Sequence, residues 1–142
     1  MTEPVIVALE CTCDLIQGVE GFLNKQDPPE AFIELNGVCQ FYQFKNHGDS
    51  FVFCIQSELQ KGTNYLTLNY VHNDVTKNFG NLKVTDIRIH GCSVNFDIFN
   101  CDYKSYDGSI ENTNTLYLGK PGQWRYIIES PVFENYRGII LG

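Results

Sequence analysis

Leu66, Leu68 and Tyr70 alternate with Thr67 and Asn69, and Val94, Phe96 and Ile98 alternate with Asn95 and Asp97. A period of two sets one face of an extended segment against a core and the other in water. Short segments rich in Val, Ile, Phe, Tyr and Thr recur along the whole chain, at 5–9, 31–35, 38–44, 50–56, 64–71, 82–89, 93–99, 115–119, 123–129 and 138–141. Turn-forming pairs punctuate them: Asn36-Gly37, Lys61-Gly62, Asp107-Gly108, Pro121-Gly122 and the run Asn46-His47-Gly48-Asp49. This rhythm predicts an all-β protein, a single-domain antiparallel Greek-key β-sandwich of about ten strands spanning 1–142.

One stretch has a different period. In 14–23, "DLIQGVEGFL", the residues Leu15, Ile16, Val19, Phe22 and Leu23 fall on one helical stripe, with Asp14 placed to cap it. A short N-terminal helix and an irregular loop both fit, because Gly18 and Gly21 each weaken a helix by about 1 kcal/mol relative to alanine. Two other stretches match each other. Aligning Ile33 with Ile87 also pairs Leu35 with Ile89, Gly37 with Gly91, Tyr42 with Phe96 and Asn46 with Asn100. Each reads as a strand, a glycine turn and a second strand with an aromatic five residues on.

Composition narrows the partners. The chain has 142 residues, is 43% hydrophobic with ten Phe and eight Tyr, and can bury a core without covalent staples. Its formal charge of −7, with only ten Lys and Arg, argues against a nucleic acid or an anionic membrane as partner. No apolar run approaches the roughly 20 residues of a membrane-spanning helix. "MTEPVIVALE" lacks the basic region of a signal peptide, so a cytoplasmic location is expected, or secretion after a signal peptide has been removed. Six cysteines (11, 13, 39, 54, 92 and 101) allow unbridged core thiols or up to three disulfides, and the absence of a visible secretion signal favours thiols.

Catalytic signatures are sparse. "GDSF" at 48–51 lacks the second glycine of a nucleophile elbow, and no glycine-rich phosphate cradle precedes a helix. A hydrolase with a Cys–His or Ser–His pair from distant parts of the chain remains an alternative without a motif. Cys11-x-Cys13 has a shorter spacing than paired zinc thiolates use, and His47, His72 and His90 stand alone. Asn, Asp and Thr oxygens cluster in "HNDVTKN" (72–78) and "NLKVTD" (81–86). These are hard ligands suited to calcium, with Asn81, Thr85 and Asp86 as one group and Asn73 and Asp74 as a second. No other cofactor is implied. Aromatics thicken toward the C-terminus. Exposed together, Tyr103, Tyr106, Trp124, Tyr126 and Tyr136 would give large contact area at low entropic cost.

"TDIRIHGCSVNFD" resembles the βγ-crystallin pattern, in which a strand leads through glycine into an aromatic-bearing strand and then an aromatic-x-Gly turn. Tyr106-Asp107-Gly108 and Tyr136-Arg137-Gly138 would be such turns. "CQFYQFKNHGDSFVFC" (39–54) is similar to the opening hairpin of that family, with Gly48 and Ser50 in its Gly-x-Ser positions. The resemblance implies a Greek-key fold, and it places "NLKVTD" at the family's calcium motif. There Leu82 stands for the second acidic or amide residue and Asp86 for the final serine. The leading functional expectation is a non-enzymatic binding domain for a protein or glycan partner. The alternatives are a crystallin-like structural or calcium-binding protein and the hydrolase above.

Overall fold

The structure, a computed structural model, describes residues 2–15, 30–43, 50–72, 80–93, 101–113 and 115–132. Their eleven strands form two antiparallel sheets packed against each other, an all-β sandwich. The first sheet holds β1 (Thr2–Leu15), β4 (Ser50–Gln60), β6 (Gly80–Ile89), β7 (Cys92–Ser93) and β10 (Tyr117–Leu118). Its order is β10-β6-β1-β4, with β7 folded back on β6. The second sheet holds β2 (Glu30–Leu35), β3 (Val38–Gln43), β5 (Gly62–Val71), β8 (Cys101–Ser105), β9 (Glu111–Thr113) and β11 (Gly122–Ser130), in the order β3-β2-β5-β11-β8-β9. Among the described strands, β2–β3, β6–β7 and β8–β9 are hairpins, and the other strands that follow one another lie in opposite sheets.

The period-two pattern explains what is buried. Val5, Val7, Leu9, Cys11 and Cys13 of β1 all face inward, as do Leu66, Leu68 and Tyr70 of β5 and Trp124, Tyr126 and Ile128 of β11. Each such large side chain contributes about 1.5–3 kcal/mol relative to exposure. The one-residue gap in Cys11-x-Cys13 is therefore strand alternation, not ligand spacing. None of the six cysteines is in a disulfide. Burial, with Glu10 adjoining, pushes the Cys11 thiol up to about 12, which keeps it protonated and inert.

The expected helix at 14–23 is corrected where it can be compared. Asp14 and Leu15, the first two residues of that stretch, end β1 opposite Asn81 and Gly80, and residues 16–23 lie outside the described segments. Pairing with β6 supplies the backbone groups of these two residues with cross-strand partners. β6 also departs from simple alternation. Its register on β1 shifts between Glu10 and Cys11, leaving Thr85 as an extra residue, so Leu82 and Val84 point inward and the phase resumes at Ile87 and Ile89. Thr85 Oγ1 satisfies the bulge by donating to Glu10 O at 3.2 Å and to Glu10 Oε1 at 2.8 Å.

The matching stretches at 33–43 and 87–97 begin with the same turn. Asn36 and Gly37 have φ of 49° and 89°, and His90 and Gly91 have φ of 52° and 82°. Two successive positive φ values between directly paired strands are the type I′ hairpin, whose twist suits the flanking strands. The hairpins lie in different sheets, β2–β3 in the six-stranded one and β6–β7 in the other. Phe96 and Asn100 of the second unit fall outside the described residues. The likeness is therefore one of turn chemistry at two separate places in the fold.

The corner from β4 to β5 turns at Gly62, with φ of 97°. It is held by Asn64, which is 3% exposed and fully engaged. Its Nδ2 donates to Gln60 O at 2.9 Å, and its Oδ1 accepts from Gln60 N at 2.8 Å and from Asn36 Nδ2 at 2.9 Å. Asn36 Nδ2 also reaches Glu58 O at 2.7 Å, and Gln40 Oε1 accepts from Cys54 N at 2.7 Å. These side chains occupy backbone groups along the outer edge of β4, which would otherwise be open to another strand.

Candidate functional site

The outward positions of the six-stranded sheet carry the chemistry that its inward positions lack. Register aligns them in rows across the strands. One row runs Glu111, Lys104, Gln123, Asn69, Phe32, Phe41, and the next runs Thr113, Asp102, Arg125, Thr67, Glu34, Cys39. At the β8–β9–β11 end these side chains line a groove of about 400 Å³, with Tyr106 at its margin.

The groove is held in shape by its own hydrogen bonds. Asn69 is 5% exposed although it points outward. Its Oδ1 accepts from Tyr106 Oη at 3.0 Å and from Gln123 Nε2 at 3.1 Å, and its Nδ2 donates to Thr67 Oγ1 at 3.3 Å. Arg125 grips Asp102 in a forked pair, Nε to Oδ1 at 3.1 Å and Nη2 to Oδ2 at 2.9 Å. Its guanidinium lies over the Tyr65 ring, 4.8 Å from the centroid. The Asp102 bonds raise the Arg125 pKa beyond its ordinary value, so the cation is permanent. Tyr106 is 47% exposed, and partial burial lifts its hydroxyl pKa, so it stays a neutral donor.

The turn carrying Tyr106 is locked by Asp107. Asp107 Oδ1 accepts from Ser105 Oγ at 2.7 Å, Ser109 N at 2.9 Å and Ser109 Oγ at 2.7 Å, and Oδ2 pairs with Lys120 Nζ at 3.2 Å. The Ser105 hydroxyl first, then the Ser109 amide and hydroxyl, hold this carboxyl well below the usual carboxylate range. A carboxyl depressed by folding stabilises the protein above its unfolded pKa of about 3.9 and loses that contribution as the pH falls. Denaturant midpoints measured from pH 7 down to pH 3 should therefore fall more steeply for the wild type than for Asp107→Asn. Equal slopes would mean that the turn is not held by the ionised carboxylate.

At the other end of the first row, the rings of Phe32 and Phe41 lie 4.9 Å apart at 34°, and Phe41 is 64% exposed. A second depression, of about 560 Å³, lies at the two type I′ tips, where Asn36 and His90 meet Ile6, Val38, Gln56 and Glu58. Asn36 there is committed to Glu58 O and Asn64, and His90 N is committed to Ile6 O at 2.9 Å.

The residues expected from the sequence to bind a partner divide sharply. Tyr106 borders the groove half-exposed; Tyr103 also lines it but is 1% exposed, and Trp124 and Tyr126 are fully buried between the sheets, so the five aromatics are not exposed together as expected. The strand phase of Tyr103, Trp124 and Tyr126 is the inward one, shared with Cys101, Ser105 and Ile128. Tyr136 lies outside the described residues. Of the oxygens expected to suit calcium, Thr85 closes the bulge on Glu10. Asp86 accepts from Arg88 Nε at 2.7 Å and from Ser93 Oγ at 2.9 Å. Asn81 sits in β6 opposite Asp14, and Asn73 and Asp74 lie outside the described residues. Among the described residues no three His, Cys, Asp or Glu side chains converge as a metal would need. Arg125, Asp102, Asn69, Gln123, Tyr65 and Phe41 were not anticipated. Their signal was their phase, opposite to the core positions of the same strands. Comparison of the sequence with protein-family models and with curated proteins finds no match.

Proposed function

We propose that this chain is a non-enzymatic recognition domain that meets a glycan or protein partner with the outer face of its six-stranded sheet. The observation carrying this reading is the prearranged polar cluster Tyr106–Asn69–Gln123 beside Tyr65–Arg125–Asp102. Its side chains stand on paired strands, with Tyr106 on the locked turn between β8 and β9, and are fixed by mutual bonds before any partner arrives, so little ordering entropy remains to be lost on binding. Tyr and Arg are also the side chains that most often dominate binding energy when truncated.

The test uses Tyr106→Ala and Arg125→Ala in the full chain, screened against arrayed glycans and displayed peptides. An exposed ion pair contributes only about 0.2–1 kcal/mol, so Arg125→Ala should keep its melting temperature within a few degrees. Each variant should nevertheless weaken a bound partner by about tenfold or more. A partner whose affinity ignores both substitutions but responds to His90→Ala or Ile6→Ala would move the site to the other depression and sink this reading.

A further inference from the structure

The recognition face is long, and its chemistry changes along its length. The row from Glu111 to Phe41 crosses six strands, and five steps of about 4.8 Å make it about 24 Å long. Its middle is amide: Asn69, nearly buried, spends its Oδ1 on Gln123 Nε2 and Tyr106 Oη and so orients the exposed Gln123, whose planar group can both donate and accept beyond that one bond. Its far end is the Phe32–Phe41 ring pair, apolar and partly open.

We infer that this face takes an uncharged oligosaccharide lying across the strands, with its hydroxyl edges on Gln123 and Tyr106 and a distal ring on Phe32 and Phe41. The inference rests on the recognition-face reading above. Charge is the first support. Asp102 and Arg125 neutralise each other, and Lys104 stands opposite Glu111, so the groove attracts neither an anion nor a cation strongly. The formal charge of −7 on the whole chain further repels sulfated or uronate-bearing chains.

The layout is the second support. Interfaces between proteins have an apolar centre ringed by polar residues. Here amides and an ion pair share the centre with the half-exposed Tyr65 and Tyr106, and Phe41, the most exposed ring, is at the margin. A sugar chain suits that inverse order, because each ring has a hydroxyl-bearing edge and a less polar face. Neutral amides and a tyrosine hydroxyl match hydroxyl pairs without charge, and phenyl rings cover the apolar face.

The experiment is a titration of the ¹⁵N-labelled chain, followed by amide shifts. The probes are uncharged gluco-, manno-, xylo- and galacto-oligosaccharides of increasing length, an acidic oligosaccharide and a basic peptide. At least one uncharged series should give saturable shifts along the row, with affinity rising with length until the Phe41 end is covered. Phe41→Ala should then cost about tenfold for the longest chain and nothing for the monosaccharide, whereas Gln123→Ala should weaken both. Phe41 and Gln123 are exposed, so both variants should fold. If only the acidic oligosaccharide or the peptide shifts the face, the ligand class is wrong and the recognition face stands. Saturable sugar shifts on another surface would overturn both. Silence from every probe at millimolar concentration, or a length dependence that survives Phe41→Ala, would overturn the oligosaccharide assignment.

Discussion

Gly122→Ala should lose about 3 kcal/mol of stability and melt roughly 10 °C lower, although it adds one methyl group. Gly122 opens β11 between Tyr70 of β5 and Ser105 of β8, on the inward phase. A Cβ there would run into the backbone oxygen of Lys104, with Ser105 Cα at 2.7 Å and the ring carbon Cε1 of Tyr103 at 2.8 Å. Two of those neighbours are backbone in a paired strand and cannot swing aside, so β8 and β11 would have to separate. The Tyr103 ring occupies the space that glycine leaves, and its Oη accepts from Lys120 N at 3.1 Å, tying the loop before β11 to β8. Gly108→Ala is the instructive partner. Nothing lies within 4 Å of a Cβ there, and only the φ of 77° opposes the change, so its cost should be about 1–2 kcal/mol. The sole tryptophan gives a fluorescence readout for urea unfolding of both variants. A Gly122→Ala protein as stable as Gly108→Ala would show that β11 does not pack against β8 as described.

Trp124→Ala should be the most damaging single truncation, at about 3–5 kcal/mol. Trp124 is fully buried, stacks on Tyr126 at 6.3 Å between centroids, and donates from Nε1 to Thr115 O at 2.8 Å. That bond pins the segment before β10 to the core. Trp124→Phe separates the two roles, keeping most of the apolar ring but orphaning the Thr115 carbonyl, for about 1–3 kcal/mol. Calorimetry should rank the proteins wild type, Trp124→Phe, Trp124→Ala in falling melting temperature. A Trp124→Ala melting point close to the wild type would place this side chain outside the core. For the same reason, loss of binding in Trp124→Ala would report unfolding, and Tyr106, Arg125 and Phe41 are the residues with which to probe recognition.

Both predictions bear on how much could be read from the chain. The strands at 31–35, 50–56, 64–71, 82–89 and 123–129 were legible because long alternating runs have few ways to hide one face. β8, "CDYKS", was missed because Asp, Lys and Ser are poor strand formers, although Cys101, Tyr103 and Ser105 alternate correctly with Asp102 and Lys104. Pro121-Gly122 was legible as a turn signal, yet Gly122 is a strand residue kept small by Tyr103, a neighbour nineteen positions earlier. The aromatics were the costliest ambiguity. Tyr103 and Tyr106 are three residues apart, one in the core and one at the groove, and a shift of one position in a strand reverses the face.

What the sequence determined by itself is therefore local or summed: strand periodicity, the glycine turns at Asn36-Gly37 and Gly91, and an acidic formal charge. Each follows from forces acting within a few residues, or from a sum over all of them. The site was decided by tertiary structure alone. Asn69, Tyr106 and Gln123 meet only because β5 and β11 pair in one register and the β8–β9 turn folds over them. Arg125 finds Asp102 and Tyr65 on opposite flanks for the same reason. The second row reaches Glu34 because β2 lies beside β5. Sheet order is set by packing among residues far apart in the chain, and no short-range pattern records it.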